Sequence, residues 1–286
     1  MEIELIADYP CKTGEGPLWH TDESSLYWVD IPNGVLYRYN PETKVHESVY
    51  QTGVIGGVTI QADGSLLLFC DAGTVKRWDN GTVEAIATLN EAAETRFNDV
   101  IADPEGRIFC GTMPTDDELG SLYRLDSDGS FTRIIDAVDI PNGMGFSPDL
   151  ETFYFTESGE HLIYDFDYNR DTGAISNPSI LVETTDEEGA PDGLTVDTNG
   201  DIWSARWDGN VLVRYSSNGV EKERVKFPVR KVSSATFGGP ALESLYVTTA
   251  GGNDRVKEGA FAGSLFRYVT NSSGRTEFRS RIRLDE

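Results

Sequence analysis

Short runs of apolar, β-branched and aromatic residues alternate along the chain with clusters of Gly, Asp, Asn, Ser and Pro. Runs of this length and composition, bounded by turn residues, predict strands. The same arrangement recurs six times. Its clearest mark is a strand with an Arg–aromatic or similar ending: GVLYRY at 34–39, GTVKRW at 73–78, GSLYRL at 120–125, HLIYDF at 161–166, NVLVRY at 210–215 and GSLFRY at 263–268. Each is preceded by an apolar strand: LYWVD at 26–30, LLLFC at 66–70, RIFCG at 107–111, TFYFTE at 152–157, DIWSA at 201–205 and SLYVTT at 244–249. Turn clusters such as ADG at 62–64, DPEG at 103–106, SPD at 147–149 and DTNG at 197–200 stand before these strands and supply the positive φ angles that hairpins need. DSDG at 126–129 opens like a calcium loop but lacks the remaining ligands and the closing Glu, so a hairpin turn is expected there.

Aligning the first strand of each repeat puts Gly16, Gly57, Asp99, Gly143, Gly193 and Ser234 in one register, with separations of 41, 42, 44, 50 and 41 residues. A period of this size with several short strands signals propeller blades. An open β-sandwich would show no such sixfold register. The expected fold is therefore all-β: a six-bladed β-propeller of four-stranded antiparallel blades around a central channel, with residues 1–286 as a single domain. Closing the ring calls for the first and last segments in one blade, and 3–8 and 278–284 are both strand-like enough to contribute the outer strand.

Composition narrows the partners. The formal charge is −24, from 48 acidic and 24 basic residues. Such a field repels nucleic acid and anionic lipid, so neither is expected as a partner. The surplus acid is scattered rather than gathered in a tail, which suits a protein kept soluble in concentrated salt as well as an ordinary acidic protein. Cys11, Cys70 and Cys110 are an odd set without CxxC spacing, no leader pattern opens the chain, and no apolar run approaches the roughly 20 residues that span a bilayer. Free thiols in a reducing cytoplasm are expected.

In a propeller the innermost strand of every blade runs beside the channel, so equivalent positions converge on the axis. The residue before each register position is Glu15, Gly56, Asn98, Asn142, Asp192 or Ser233. Four of the six are carboxylates or carboxamides. Two carboxylates about 4 Å apart repel by about 4 kcal/mol at an effective dielectric near 20. Raised pKa values or a neighbouring cation could compensate, and with amide oxygens alongside the economical answer is one bound divalent cation. His20, His46 and His161 share no register with this set, which favours calcium, magnesium or manganese, while zinc or ferrous iron could take the same oxygens. PNG at 141–143 and PDG at 191–193 are also ordinary turn tripeptides. Here each stands directly ahead of an apolar strand and in register with Glu15. Arg96 lies two residues before Asn98 and so points the same way on a strand, where it could meet substrate or pair with neighbouring acid. Met144 and Trp19 read as blade core.

These stretches resemble the family of gluconolactonases, regucalcin and luciferin-regenerating enzyme: GEGPLW at 14–19, RFND at 96–99, GTM at 111–113, PNGMGFSPD at 141–149, FDYNRDTGAISN at 166–177, PDGLTVDTNGDIWSARWDG at 191–209, and SSATFGG with LYVTTA at 233–250. The resemblance runs the length of the chain. It implies a six-bladed propeller with one divalent metal held by Glu15, Asn142 and Asp192, and a sugar lactone whose hydroxyls are held by Arg96 and Asn98. It also implies an acidic residue shortly after GTM; a Glu is usual there and this chain has the shorter Asp116. On this reading the protein is a metal-dependent hydrolase of sugar lactones. The cation polarises the ester carbonyl, and Asp192, with Glu15 second, takes the proton from the attacking water. No GxSxG elbow supports a serine hydrolase. Two alternatives keep the site: a calcium-dependent hydrolase of other lactones or organophosphates, and a non-catalytic metal-binding propeller.

Overall fold

In the computed structural model, which describes residues 3–284, every repeat folds into a four-stranded antiparallel sheet, and the six sheets stand around a ring as the blades of a propeller. The innermost strands are Gly14–His20, Ile55–Gln61, Phe97–Ala102, Pro141–Phe146, Ala190–Val196 and Lys231–Gly238, in blades 1 to 6. Neighbouring inner strands pack against one another around the circle, the sixth against the first.

The burial pattern explains why these sequences form these strands. Ser25–Asp30 and Leu66–Cys70 are buried at every position, because second strands are sandwiched between adjacent blades. They are accordingly near-continuous apolar runs. Outer strands such as Val45–Gln51 face water and carry charged and polar residues. The core lies between blades: Phe69 of blade 2 meets Phe97 of blade 3 edge-on, and Phe109 of blade 3 packs on Phe153 of blade 4. Each such buried side chain contributes roughly 1.5–3 kcal/mol of transfer free energy. Gly129 N–H donates to Asp126 O, so DSDG is the hairpin turn that its sequence predicts. Met144 and Trp19 lie in the apolar core. Among the described residues the longest helix is the four-residue Arg255–Glu258, and no helix is long and apolar enough to cross a membrane.

The two terminal segments do different things. Ile3–Ala7 is the outer strand of blade 6, paired antiparallel with Leu265–Val269. The C-terminal segment instead crosses the face that carries the first-to-second-strand turns. Ser273 O accepts from Thr198 N–H, Arg275 donates to Ser147 O, Arg281 N–H donates to Gly106 O, and Arg283 N–H donates to Ser127 O. Arg279–Ser280 adds a short parallel strand to Ile60–Gln61, and the Gln61 carboxamide clasps both backbone groups of Ile282. This strap ties blades 2 to 6 together on the face away from the inner-strand starts.

Candidate active site at the propeller axis

Each of the six inner strands begins with a β-bulge, and all six bulges fall at the register positions: between Glu15 and Leu18, Ile55 and Gly57, Phe97 and Val100, Asn142 and Met144, Pro191 and Leu194, and Val232 and Ser234. A bulge lets one residue leave the pleat and aim elsewhere. Here that direction is the axis. Glu15, Asn98, Asn142 and Asp192 line one cavity of about 350 Å3, and Arg96 joins them. The other two register residues do not. A Cβ on Gly56 would lie 2.0 Å from Phe97 O, so only glycine fits. Ser233 Oγ donates to Gly14 O at 2.5 Å and fastens blade 6 to blade 1.

The polar groups are held in defined directions. Asn142 Nδ2 donates to Ser158 Oγ at 3.1 Å, and Ser158 Oγ donates to Pro191 O at 2.6 Å. This leaves the Asn142 carbonyl oxygen without a donor among the described residues. Asn98 is engaged on both sides of its amide: its oxygen accepts from Arg96 Nη1 at 2.7 Å and its nitrogen donates to Pro141 O at 2.9 Å. Arg96 Nη1 is also bound to Phe97 O. Among the described residues its Nε and Nη2 carry no such bond.

The electrostatics are unfavourable as they stand. Burial, then the charges of Asp192 and Asp99, push the Glu15 carboxyl well above the usual carboxylate range. Burial and Asp99 do the same to Asp192, against the Asn142 amide and the more distant Arg206. Burial raises Asp99 itself to about 6, with Glu277 of the C-terminal strap adding to the effect. Burial lowers the Arg96 guanidinium, which the acids Glu15 and Asp192 counteract.

A divalent cation fits this donor set. Glu15 Oε2 accepts from Gly16 N–H at 2.6 Å, but Oε1 is buried with no partner. A buried oxygen left unsatisfied costs about 1–3 kcal/mol or more when charged. With the Asp192 carboxylate and the free Asn142 oxygen it completes a hard, all-oxygen set of the kind calcium and magnesium take. Among the described residues no three His, Cys, Asp or Glu side chains gather at metal-binding distance, so the amide is needed as third ligand. His20, His46 and His161 bond elsewhere, to Gly64 O, Tyr9 and the Thr184 region.

Asp116 lies on an exposed loop and is not part of the cavity wall. The side chains that complete the wall include Thr13, Ile31, Met113, Ile140 and Trp207, all near the ends of strands on the site's face. Sequence reasoning missed these because they share no register with the axial set. Asp99 is in register, yet its chemistry shows only when Glu277 is brought beside it.

The model of the SMP-30/Gluconolactonase/LRE-like region matches residues 13–251. The chain belongs to this family. A pentonolactonase of Haloferax volcanii is 50% identical over 291 residues, covering 99% of this chain and 100% of that protein. Regucalcin of Xenopus laevis is 34% identical over 260 residues, 87% of each chain. Among solved structures, a calcium-binding regucalcin from Agrobacterium tumefaciens superposes with a TM-score of 0.92 at 25% identity, covering 98% of both chains. The family match ends at 251, so the C-terminal strap lies beyond it.

Proposed function

We propose that this member of the SMP-30/gluconolactonase family hydrolyses sugar lactones to aldonic acids with the help of one divalent cation held by Glu15, Asn142 and Asp192. The buried, partnerless Oε1 of Glu15 beside a second carboxylate carries the reading. Half of the chain's positions match a pentonolactonase along its whole length, which supports a five-carbon sugar lactone as substrate. When bound, the cation would stabilise negative charge on the ester carbonyl oxygen.

The chain's own residues do the rest. Arg96 offers its uncommitted N–H groups to the hydroxyls of the sugar, and Asn98 fixes the guanidinium that makes those contacts. Ser158 accepts from the Asn142 amide and holds that side chain at the cavity wall. Asp192, ionised as it must be beside a cation, takes the proton from the attacking water; Glu15 is second in line. Asp116 would reach substrate only if its loop folded over the cavity. We place the enzyme in the cytoplasm, where its three buried, unpaired cysteines stay reduced. We take 1–286 as one domain, since the first strand completes the last blade.

The test is hydrolysis of arabinono-, xylono- and gluconolactone, followed with a pH indicator after chelation and again with calcium, magnesium, manganese, zinc or ferrous iron added back. Activity should vanish with chelator and return with at least one metal. Undiminished turnover without metal refutes the metal requirement. No turnover with any of them would make the site a non-catalytic metal centre.

A further inference from the structure

Trp207 stands apart from the other tryptophans. Of the five in the chain, Trp19, Trp28, Trp78 and Trp203 are buried in the blades. Trp207 is half-buried and lines the axial cavity. It ends the second strand of blade 5 opposite Ala190, whose small side chain leaves room in front of it. The Lys231 ammonium lies over the indole at 5.4 Å from the ring centroid and is pinned by Glu258 at 2.6 Å and Asp208 at 3.2 Å. Lys231 is not part of the cavity wall, so the cation clamps the ring from outside. A large, fixed aromatic surface is thereby left to the cavity.

The wall is also divided by chemistry. Arg96 and Asn98 stand on blade 3, Trp207 on blade 5, and Asn142 between them on blade 4. Ala190 is paired with Trp207 across blade 5, and Ile140 of blade 4 lines the same cavity. A sugar lactone has matching halves: hydroxyls that need donors, and a ring bearing C–H groups whose slight positive charge suits the negative face of an aromatic ring.

We infer that Trp207 is a specificity residue: the platform on which the C–H face of the lactone ring packs while Arg96 takes the hydroxyls. The substrate class rests on the proposed function, but the platform does not depend on hydrolysis. A suitable probe is 1,4-anhydroarabinitol, which keeps the ring and hydroxyls and has no ester to cleave. With four tryptophans buried, the probe should change the emission of Trp207 in a saturable way in the metal-loaded protein. Trp207→Phe should lose that signal yet bind within about threefold of wild type by calorimetry, because the ring face remains. Trp207→Leu, which keeps bulk without the ring, should bind about tenfold more weakly at an unchanged Tm, and should raise KM for arabinonolactone more than it lowers kcat.

Wild-type emission that stays still while calorimetry shows binding would overturn the inference. So would Trp207→Leu binding as tightly as wild type, or no binding of the probe to the loaded wild-type protein. Failure of lactone hydrolysis with Trp207-dependent probe binding intact would instead sink only the proposed function.

Discussion

Asp99 offers the most quantitative test of how the axis is built. Its register partners are Gly16, Gly57, Gly143 and Gly193 in four other blades and Ser234 in the last, so this one blade places a carboxylate where the ring otherwise has glycine or a small hydroxyl. Burial raises its pKa from 3.8 to about 6, although Val100 N–H donates to it at 2.8 Å. Above pH 6 the group is charged in both folded and unfolded protein, and the folded state bears the penalty; below pH 3.8 it is neutral in both and the penalty is gone. At about 1.36 kcal/mol per pH unit, the separation corresponds to about 3 kcal/mol. Asp99→Asn keeps an oxygen for Val100 and removes the charge. In chelator-treated protein, urea unfolding should show the variant equal to wild type near pH 4 and more stable by about 3 kcal/mol at pH 7.5, the gain appearing as pH rises between those values. Adding calcium should shrink the gain, because a cation at Glu15 and Asp192 favours the charged form of their neighbour. Equal stability of the two proteins from pH 4 to 8 would refute the account of the axial electrostatics.

Asp192→Asn retains a coordinating oxygen but no base, so metal titration should show weakened binding while kcat at metal saturation falls by about 10² to 10⁴; near-normal kcat would leave Asp192 as a ligand alone. Arg96→Ala and Asn98→Ala should reduce kcat/KM for arabinonolactone by about tenfold or more beyond their effect on unsubstituted γ-butyrolactone, since only the former loses hydrogen bonds; equal losses would assign both residues to the fold or the metal. Thermal unfolding should shift to higher Tm as salt rises from low to molar concentration, because screening relieves the self-repulsion of a chain with net charge −24; a Tm indifferent to salt removes that reading of the composition.

Local chemistry was enough to read the strands, the hairpin turns, the count of six blades and the spacing that groups Glu15 with Asn142 and Asp192. Side-chain alternation and turn preference act over a few residues, and repetition prints them six times along the chain. What happens at each register position was decided only by the closed ring. Gly56 is forced by the carbonyl of Phe97, Ser233 is diverted to Gly14 O, and Asn98 is engaged by Arg96 and Pro141, while the Asn142 oxygen meets no donor among the described residues. Ile3–Ala7 and the C-terminal segment are comparably strand-like, yet one completes blade 6 and the other straps the opposite face. The same holds for Trp207 and Asp116, which lie on the site's face without a register mark and differ in whether they meet the cavity. These outcomes depend on backbone groups 40 to more than 200 residues away being brought within hydrogen-bond reach, and a sequence pattern of period 2 carries no information about which distant carbonyl will be there.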